Sequence, residues 1–93
     1  MAHKVVMNVY RLTKKYPKDE IFALTSQSRR AAVSATANIA EGFGRNTQKD
    51  KVHFYVMART SLTELQSHLI IGRDLGYITQ ESFNDCIKEI ERN

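Results

Sequence analysis

The sequence has 93 residues, of which 42% are hydrophobic and 26% are charged, and its net charge at neutral pH is +4. This composition excludes a disordered chain and an apolar membrane protein, and the length predicts a single domain over residues 1–93 with a thin core. No apolar run approaches the roughly 18 to 20 residues of a membrane helix, and the amino-terminal segment lacks a secretory hydrophobic region, so we expect a cytoplasmic protein.

Positive charge is concentrated in the first part of the chain. Residues 1–78 carry 12 basic and 6 acidic side chains, whereas residues 79–93 carry 2 and 4. An excess of Lys and Arg favours polyanionic partners such as nucleic acid, although moderate basicity is also common in soluble proteins that bind none. Charge alone therefore leaves nucleic-acid binding as one of two open interpretations.

The apolar spacing predicts an all-helical fold, and the first helix precedes a turn at Pro17. Residues at helical spacing define its core face: Val5, Val9, Leu12 and Tyr16. A basic stripe lies about 120° from that face. It consists of Lys4, Arg11, Lys15 and Lys18. Such a stripe is often only a solvated surface, but an oligomer would multiply it into a belt of positive charge suited to a nucleic-acid backbone.

The second helix is expected to begin near Asp19 and Glu20 and to run to about Gly42, with Gly42 and Gly44 as left-handed terminators. Its periodicity places small and apolar residues on one flank: Leu24, Ser28, Ala31, Ala35 and Gly42. A second apolar flank lies on the far side: Phe22, Val33, Ala37 and Ala40. We therefore expect this helix to be buried on two sides, against its own bundle and against a neighbouring subunit.

A polar stripe separates these two flanks. It consists of Arg30, Ser34, Asn38, Glu41 and Arg45. Three interpretations remain open: a solvated strip with weak ion pairs, a hydrogen-bond network at a subunit or helix junction, and an active site. Catalysis is disfavoured because Glu41 has no second acid, histidine or nucleophile at helical reach. The Gly-Phe-Gly-Arg ending also lacks the third glycine of a dinucleotide fingerprint and the Gly-Lys-Ser or Gly-Lys-Thr of a P-loop, so no nucleotide motif is present.

The third helix is predicted to open at a capping box formed by Thr47 and Asp50 and to end at Gly76. Its core face is Phe54, Ala58, Leu62, Leu65, Leu69 and Gly72. Thr79 can cap a fourth helix, with Ile78 and Phe83 as a hydrophobic staple. This last helix, with Phe83, Ile87 and Ile90 towards the core, has only about 14 residues, close to the marginal length without tertiary support. Four amphipathic helices with short connections predict an antiparallel four-helix bundle.

Neither a metal nor a cofactor is expected. Glu64 and His68 lie one turn apart, but the di-iron and metalloprotease motifs need further ligands at fixed spacings. The single Cys86 can form neither an internal disulfide nor a zinc site, and it is interpreted as a small buried side chain.

Three segments carry a resemblance to a known family: QSRRAAVSATANIAEGFGR, VMARTSLTELQSHL and DLGYIT. The chain resembles the four-helix bundle proteins encoded within intervening sequences of bacterial 23S ribosomal RNA genes. The family's Asn-Ile-Ala-Glu-Gly signature matches residues 38–42, and its Ser-Leu-x-Glu-Leu element matches residues 61–65. The resemblance covers nearly the whole chain, although Thr60 stands where the family often has glycine.

The resemblance implies an up-and-down bundle that assembles as a ring-like homopentamer, with a non-enzymatic role in which nucleic-acid binding has been inferred from charge and gene location. Together with the basic stripe, it predicts that Lys4, Arg11, Lys15 and Lys18 bind RNA. The polar stripe, including Asn38 and Glu41, is then a structural network at a subunit junction. The alternative is a protein-interaction or scaffold module without a nucleic-acid ligand.

Overall fold

The computed structural model describes residues 2–92, and no strand occurs in this range. Its helices are α1 (Ala2–Thr13), α2 (Ser26–Phe43), α3 (Gln48–Asp74) and α4 (Gln80–Glu91). The predicted all-α class with four helices is confirmed. Met1 and Asn93, the two ends of the predicted domain, lie outside the described residues. Within residues 2–92, none of the helices combines the length and the apolar character that crossing a membrane requires.

The α2–α3 hairpin forms the long axis of the molecule. The two helices pack against each other along most of their length, α1 packs against α2 and α4, and α4 also contacts α3. At about 1.5 Å per residue, α1 and α4 each span roughly 18 Å, whereas α3 spans roughly 40 Å. The molecule measures 44 × 25 × 18 Å, and α1 and α4 therefore cover only one end of the hairpin.

The hydrophobic core lies at the end where all four helices meet, which we call the four-helix end. Its most deeply buried side chains include Val5, Val9, Leu65, Leu69 and Cys86. Leu24, Phe83 and Ile90 belong to the same cluster, and Leu12, Leu62 and Ile87 pack against it while half-buried. The predicted core faces are thus confirmed, except that Phe54 of α3 is half-buried and lies outside this cluster, and the burial of Cys86 is confirmed.

The other end of the hairpin is formed by residues 40–57, which we call the hairpin tip. Gly42 is its only buried residue. Five large apolar side chains in this segment are exposed: Phe43, Val52, Tyr55, Val56 and Met57. The tip is therefore held by two helices alone, without a third layer over its apolar faces.

The predicted capping residues of α3 and α4 are confirmed. The Thr47 hydroxyl oxygen accepts a hydrogen bond from the Asp50 amide at 3.1 Å, and that of Thr79 accepts one from the Ser82 amide at 3.0 Å. Gly76 follows α3 with a positive φ of 80°, which favours glycine at this turn.

Helix α2 ends at Phe43, close to the predicted Gly42, but the prediction that Gly42 and Gly44 are left-handed terminators is wrong. Gly44 has a right-handed φ of −82°, and Gly42 lies inside the helix. A β-carbon at Gly42 would overlap the Tyr55 ring, so this glycine allows α2 and α3 to approach closely. The α2 carboxyl end is instead capped by the Lys51 ammonium, which donates to the Gly42 and Phe43 carbonyls at 3.3 and 3.2 Å.

The segment between α1 and α2 is less regular than the periodicity predicts. After α1 ends at Thr13, a 3₁₀ turn covers Lys18–Glu20 and a π-helical turn covers Ile21–Thr25, with non-helical φ/ψ of −126° and −106° at Ala23. Glu20 supports this kink by accepting hydrogen bonds from the Leu24 amide (3.3 Å) and the Tyr77 hydroxyl (2.8 Å). The hydrogen bond to Glu20 raises the pKa of Tyr77. The kink is thereby tied to the α3–α4 turn.

Candidate nucleic-acid interface and polar network

The four cations of the basic stripe are all exposed. Lys4 and Arg11 lie on α1, but Lys15 lies in the following turn and Lys18 in the 3₁₀ turn, because α1 ends at Thr13. The prediction that one helix carries the whole stripe is therefore wrong. The cations nevertheless follow one continuous stretch of chain along α1 and past its carboxyl end.

Part of this stripe borders a small groove between α1 and α4. Arg11 and Lys15 line it from one side, and Ser82, Asp85 and Cys86 line it from the other, around a volume of about 130 Å³. The Arg11 guanidinium donates to the Asn8 side-chain oxygen at 2.7 Å, which orients it along the helix. Asp85 brings negative charge to the same groove and so lowers the positive potential there.

Cys86 closes the floor of this groove and is not a reactive thiol. Its side chain is buried, and burial raises the pKa of the thiol to about 11. Because the thiolate is the nucleophilic and metal-binding form, almost none is present at neutral pH.

The polar stripe of α2 divides into two parts. Ser34 and Asn38 lie at the α2–α3 contact, where the Ser34 hydroxyl shares a hydrogen bond of 2.9 Å with the Ser61 hydroxyl of α3. The Asn38 amide nitrogen donates to the Ser34 carbonyl at 2.9 Å and to its hydroxyl at 3.3 Å. This half-buried network joins two helices of the same chain and brings no acid or base to the hydroxyls.

Glu41 and Arg45 form the second part, at the hairpin tip. Their side chains make an i,i+4 ion pair of 2.8 Å, and the Arg45 guanidinium lies 4.5 Å from the centroid of the Phe54 ring. Arg30 is exposed and belongs to neither part, since it forms no ion pair with another described residue. The five predicted residues thus do not form one continuous network within a single chain.

The Glu64 and His68 pair shows no sign of a metal site. Within residues 2–92, no group of three or more His, Cys, Asp or Glu side chains is arranged to hold a metal ion. The His68 Nε2 atom is buried and has no hydrogen-bond partner among the described residues.

Sequence reasoning did not identify the contact between Arg29 and α1. The Arg29 Nε atom donates to the Thr13 hydroxyl at 2.9 Å, and its guanidinium lies 4.5 Å from the Tyr10 ring centroid. Periodicity places Arg29 well away from the core face of α2, which is typical of a solvated cation. The only feature of the sequence that draws attention to Arg29 is the second cation beside it, Arg30.

The second apolar flank of α2 is exposed in the single chain. Phe22 is 94% exposed and Val33 is 45% exposed, and Ala37 and Ala40 are exposed as well. Burial of α2 on its first flank is confirmed, because Leu24, Ser28, Ala31, Ala35 and Gly42 are all buried.

Comparison with known families matches the whole chain to one family model. Residues 1–93 match the model described as the 23S rRNA-intervening sequence protein. The comparison with curated proteins gives no match.

Proposed function

Because the chain belongs to the 23S rRNA-intervening sequence protein family, we propose that it is a non-enzymatic, oligomeric helical bundle that binds RNA through its basic stripe. The observation that carries this proposal is the exposure of Lys4, Arg11, Lys15 and Lys18 along one stretch of chain. None of the four forms an ion pair with another described residue, so no ion pair has to break before these cations neutralise a phosphate.

The proposed oligomer rests on a different surface. Phe22 and the hairpin-tip residues Phe43 and Val56 are exposed, and a second copy of the chain would remove this apolar surface from water. A closed ring, which we propose to be a homopentamer, would also repeat the basic stripe around its circumference. Light scattering of the purified protein measures the number of chains directly.

Charge reversal tests the RNA interface. We expect Arg11→Glu combined with Lys15→Glu to weaken retention of an RNA oligonucleotide by more than about tenfold, and the salt dependence of binding to become shallower. The matched control is Lys49→Glu combined with Arg59→Glu, which changes the net charge equally on α3. A defined interface at Arg11 and Lys15 would be contradicted if both pairs of substitutions weakened RNA retention equally. It would also be contradicted if RNA retention by the wild-type protein did not depend on salt concentration.

Asp85 offers a test with the opposite sign. Its carboxylate lines the groove beside Arg11 and Lys15, so a phosphate near these cations is repelled by it. We expect Asp85→Asn to strengthen RNA binding, whereas Glu64→Gln on the exposed surface of α3 leaves it unchanged. No change in Asp85→Asn would place the RNA away from this groove.

The exposed hairpin tip favours a second candidate function, a scaffold module that binds another protein and no nucleic acid. Its apolar side chains would bind that partner, and the positive charge would contribute only to solubility. Purification from the native cell separates the two candidates. A single stoichiometric protein partner without nucleic acid would favour the scaffold, whereas an absorbance ratio showing bound nucleic acid favours the RNA-binding bundle.

A further inference from the structure

An open cleft of about 530 Å³ lies along the π-helical turn and the first half of α2, with Tyr10 of α1 at its border, and it is distinct from the α1–α4 groove. Tyr10 borders this cleft and contacts α2 through Arg29, whereas Arg11 and Lys15 border the groove beside α4. The two sites therefore lie on different sides of α1. The volume of the cleft falls within the range of pockets that bind small organic molecules.

Two arginines line the cleft without a compensating carboxylate. Arg29 uses its Nε atom to donate to Thr13, and its terminal NH₂ groups make no hydrogen bond with a described residue. Arg30 is exposed and has no hydrogen-bond or ion-pair partner among the described residues. No Asp or Glu belongs to the lining of the cleft. The positive charge of both guanidinium groups is thus available to an anion.

One of these arginines is held in place before any ligand arrives. The Arg29 guanidinium lies 4.5 Å from the Tyr10 ring centroid while its Nε atom is bonded to Thr13 at 2.9 Å. Both contacts restrict its rotamers, which lowers the entropy lost on binding. A planar guanidinium fork presented in this way matches the oxygens of a phosphate group.

The remaining walls favour a ligand larger than inorganic phosphate. Ile21 and Val33 line the cleft with exposed fractions of 47% and 45%, and Tyr10 adds an aromatic ring that is 42% exposed. These surfaces can cover a flat apolar ring, and the Ser26 hydroxyl supplies a nearby hydrogen-bonding group. The combination of two lining guanidinium groups and a partly aromatic wall is suited to a phosphate joined to a nucleoside.

We infer that this cleft binds a free mononucleotide, with its phosphate between Arg29 and Arg30 and its nucleoside against Ile21, Val33 and Tyr10. The inference goes beyond the proposed function, because it concerns a small-molecule site and does not depend on RNA binding by the basic stripe. Either of the two can fail without the other.

Calorimetric titration with AMP, adenosine and inorganic phosphate tests the ligand class. We expect one AMP per chain, at least about tenfold weaker binding of phosphate, and no measurable binding of adenosine, because the charged contacts contribute most of the affinity. Amide chemical-shift changes on AMP addition should centre on Tyr10, Ser26 and Val33. The inference would be overturned if AMP showed no saturable binding, or if adenosine bound as tightly as AMP. If inorganic phosphate bound as tightly as AMP, recognition of the nucleoside would be excluded.

Substitution of Arg30 tests the position of the site. Arg30 is exposed and forms no hydrogen bond or ion pair with a described residue, so Arg30→Gln should fold normally and weaken AMP binding by at least about tenfold. The matched control is Arg59→Gln, which removes the same charge from the exposed surface of α3 and should leave AMP binding unchanged. Equal loss in both variants would show attraction by net charge alone and would overturn the site.

Two further measurements separate the cleft from the RNA interface. The Arg11→Glu, Lys15→Glu variant should lose RNA retention and keep its AMP affinity, whereas Arg30→Gln should do the reverse. A 5′-phosphorylated RNA oligonucleotide carries the same phosphate monoester as AMP. If it displaces AMP from the cleft more effectively than free AMP does, the assignment to a free mononucleotide is wrong.

Discussion

The four-helix end and the hairpin tip are built from the same two helices, α2 and α3, yet their packing differs. At the four-helix end Leu65 and Leu69 are 0% exposed, because α1 and α4 cover them. At the tip Val56 is 57% and Phe43 is 73% exposed, because neither α1 nor α4 reaches it. The difference shows that apolar residues at helical spacing become a core only where a further helix lies over them.

The largest expected contrast between the two ends is the effect of truncating an apolar side chain. We expect Leu65→Ala to lower the free energy of unfolding by about 3 kcal/mol, since it leaves a cavity among four helices. Val56→Ala should change it by less than about 0.5 kcal/mol in dilute solution. Urea denaturation of both variants measures this. Similar losses of unfolding free energy in the two variants would mean that the tip is covered as completely as the core. If the loss in Val56→Ala grew with protein concentration, another copy of the chain would cover the tip.

Glycine substitution gives a smaller contrast of the same kind. A β-carbon at Gly72 would overlap the hydroxyl of the buried Tyr16, so Gly72→Ala should destabilise the protein by about 1–2 kcal/mol. A β-carbon at Gly42 would overlap the Tyr55 ring, which is 38% exposed and can move outward. Since alanine also favours the helix by about 1 kcal/mol, Gly42→Ala should be nearly neutral. Thermal unfolding of the two variants measures the difference, and a greater loss for Gly42→Ala would contradict the comparison.

Alkaline pH should destabilise the four-helix end through its buried thiol. Burial raises the pKa of Cys86 from 9.0 to about 11, so the unfolded chain loses this proton at a lower pH than the folded protein. The stabilisation is therefore complete below pH 9 and is lost as the pH rises from 9 towards 11. At pH 10 this group alone should lower the free energy of unfolding by about 1 kcal/mol.

Comparison with Cys86→Ala isolates this contribution. Urea midpoints should fall less steeply between pH 8 and pH 10 in the variant than in the wild-type protein, although the variant is less stable at both values. The same slope in both proteins would mean that other groups, such as Tyr16 with its pKa raised to about 12, control the alkaline transition.

The smallest effect is expected at the Glu41 and Arg45 ion pair of the tip. Both side chains are largely exposed, at 57% and 43%, and such i,i+4 pairs contribute about 0.3 kcal/mol, which salt reduces. Glu41→Gln should therefore leave the unfolding midpoint of the monomer almost unchanged. A loss above about 1 kcal/mol would show that the pair is desolvated, as at a subunit junction.

Helix content, core faces and caps could be predicted because they depend on short-range patterns. The i, i+4 spacing of Val5 and Val9, or of Leu65 and Leu69, indicates which side of each helix is apolar, whatever packs against it. Thr47 and Thr79 bond to amides three residues away, so the local sequence is sufficient to identify them as caps. The role of Gly42 could not be predicted in this way, because it depends on the close approach of the Tyr55 ring from α3.

The candidate sites were predicted less completely for the same reason. The sequence gives Arg11 and Lys15 the spacing of one helical turn, but only the fold brings Asp85 of α4 into their groove. It likewise places Ser34 and Asn38 on one stripe, whereas their hydrogen-bond partner Ser61 lies on α3. Arg29 was overlooked because its contacts with Tyr10 and Thr13 cross from α2 to α1.

The sequence by itself determined that this protein is all-helical, where each helix has its apolar face, and that positive charge is concentrated in residues 1–78. Those properties follow from residue spacing at 3.6 residues per turn and from composition. Only the tertiary structure decided which apolar faces are covered, how the polar stripe of α2 divides, and that Arg29 and Arg30 line a cleft beside Tyr10. The lengths and packing of α1 and α4 relative to α2 and α3 control all three, and no local pattern encodes them.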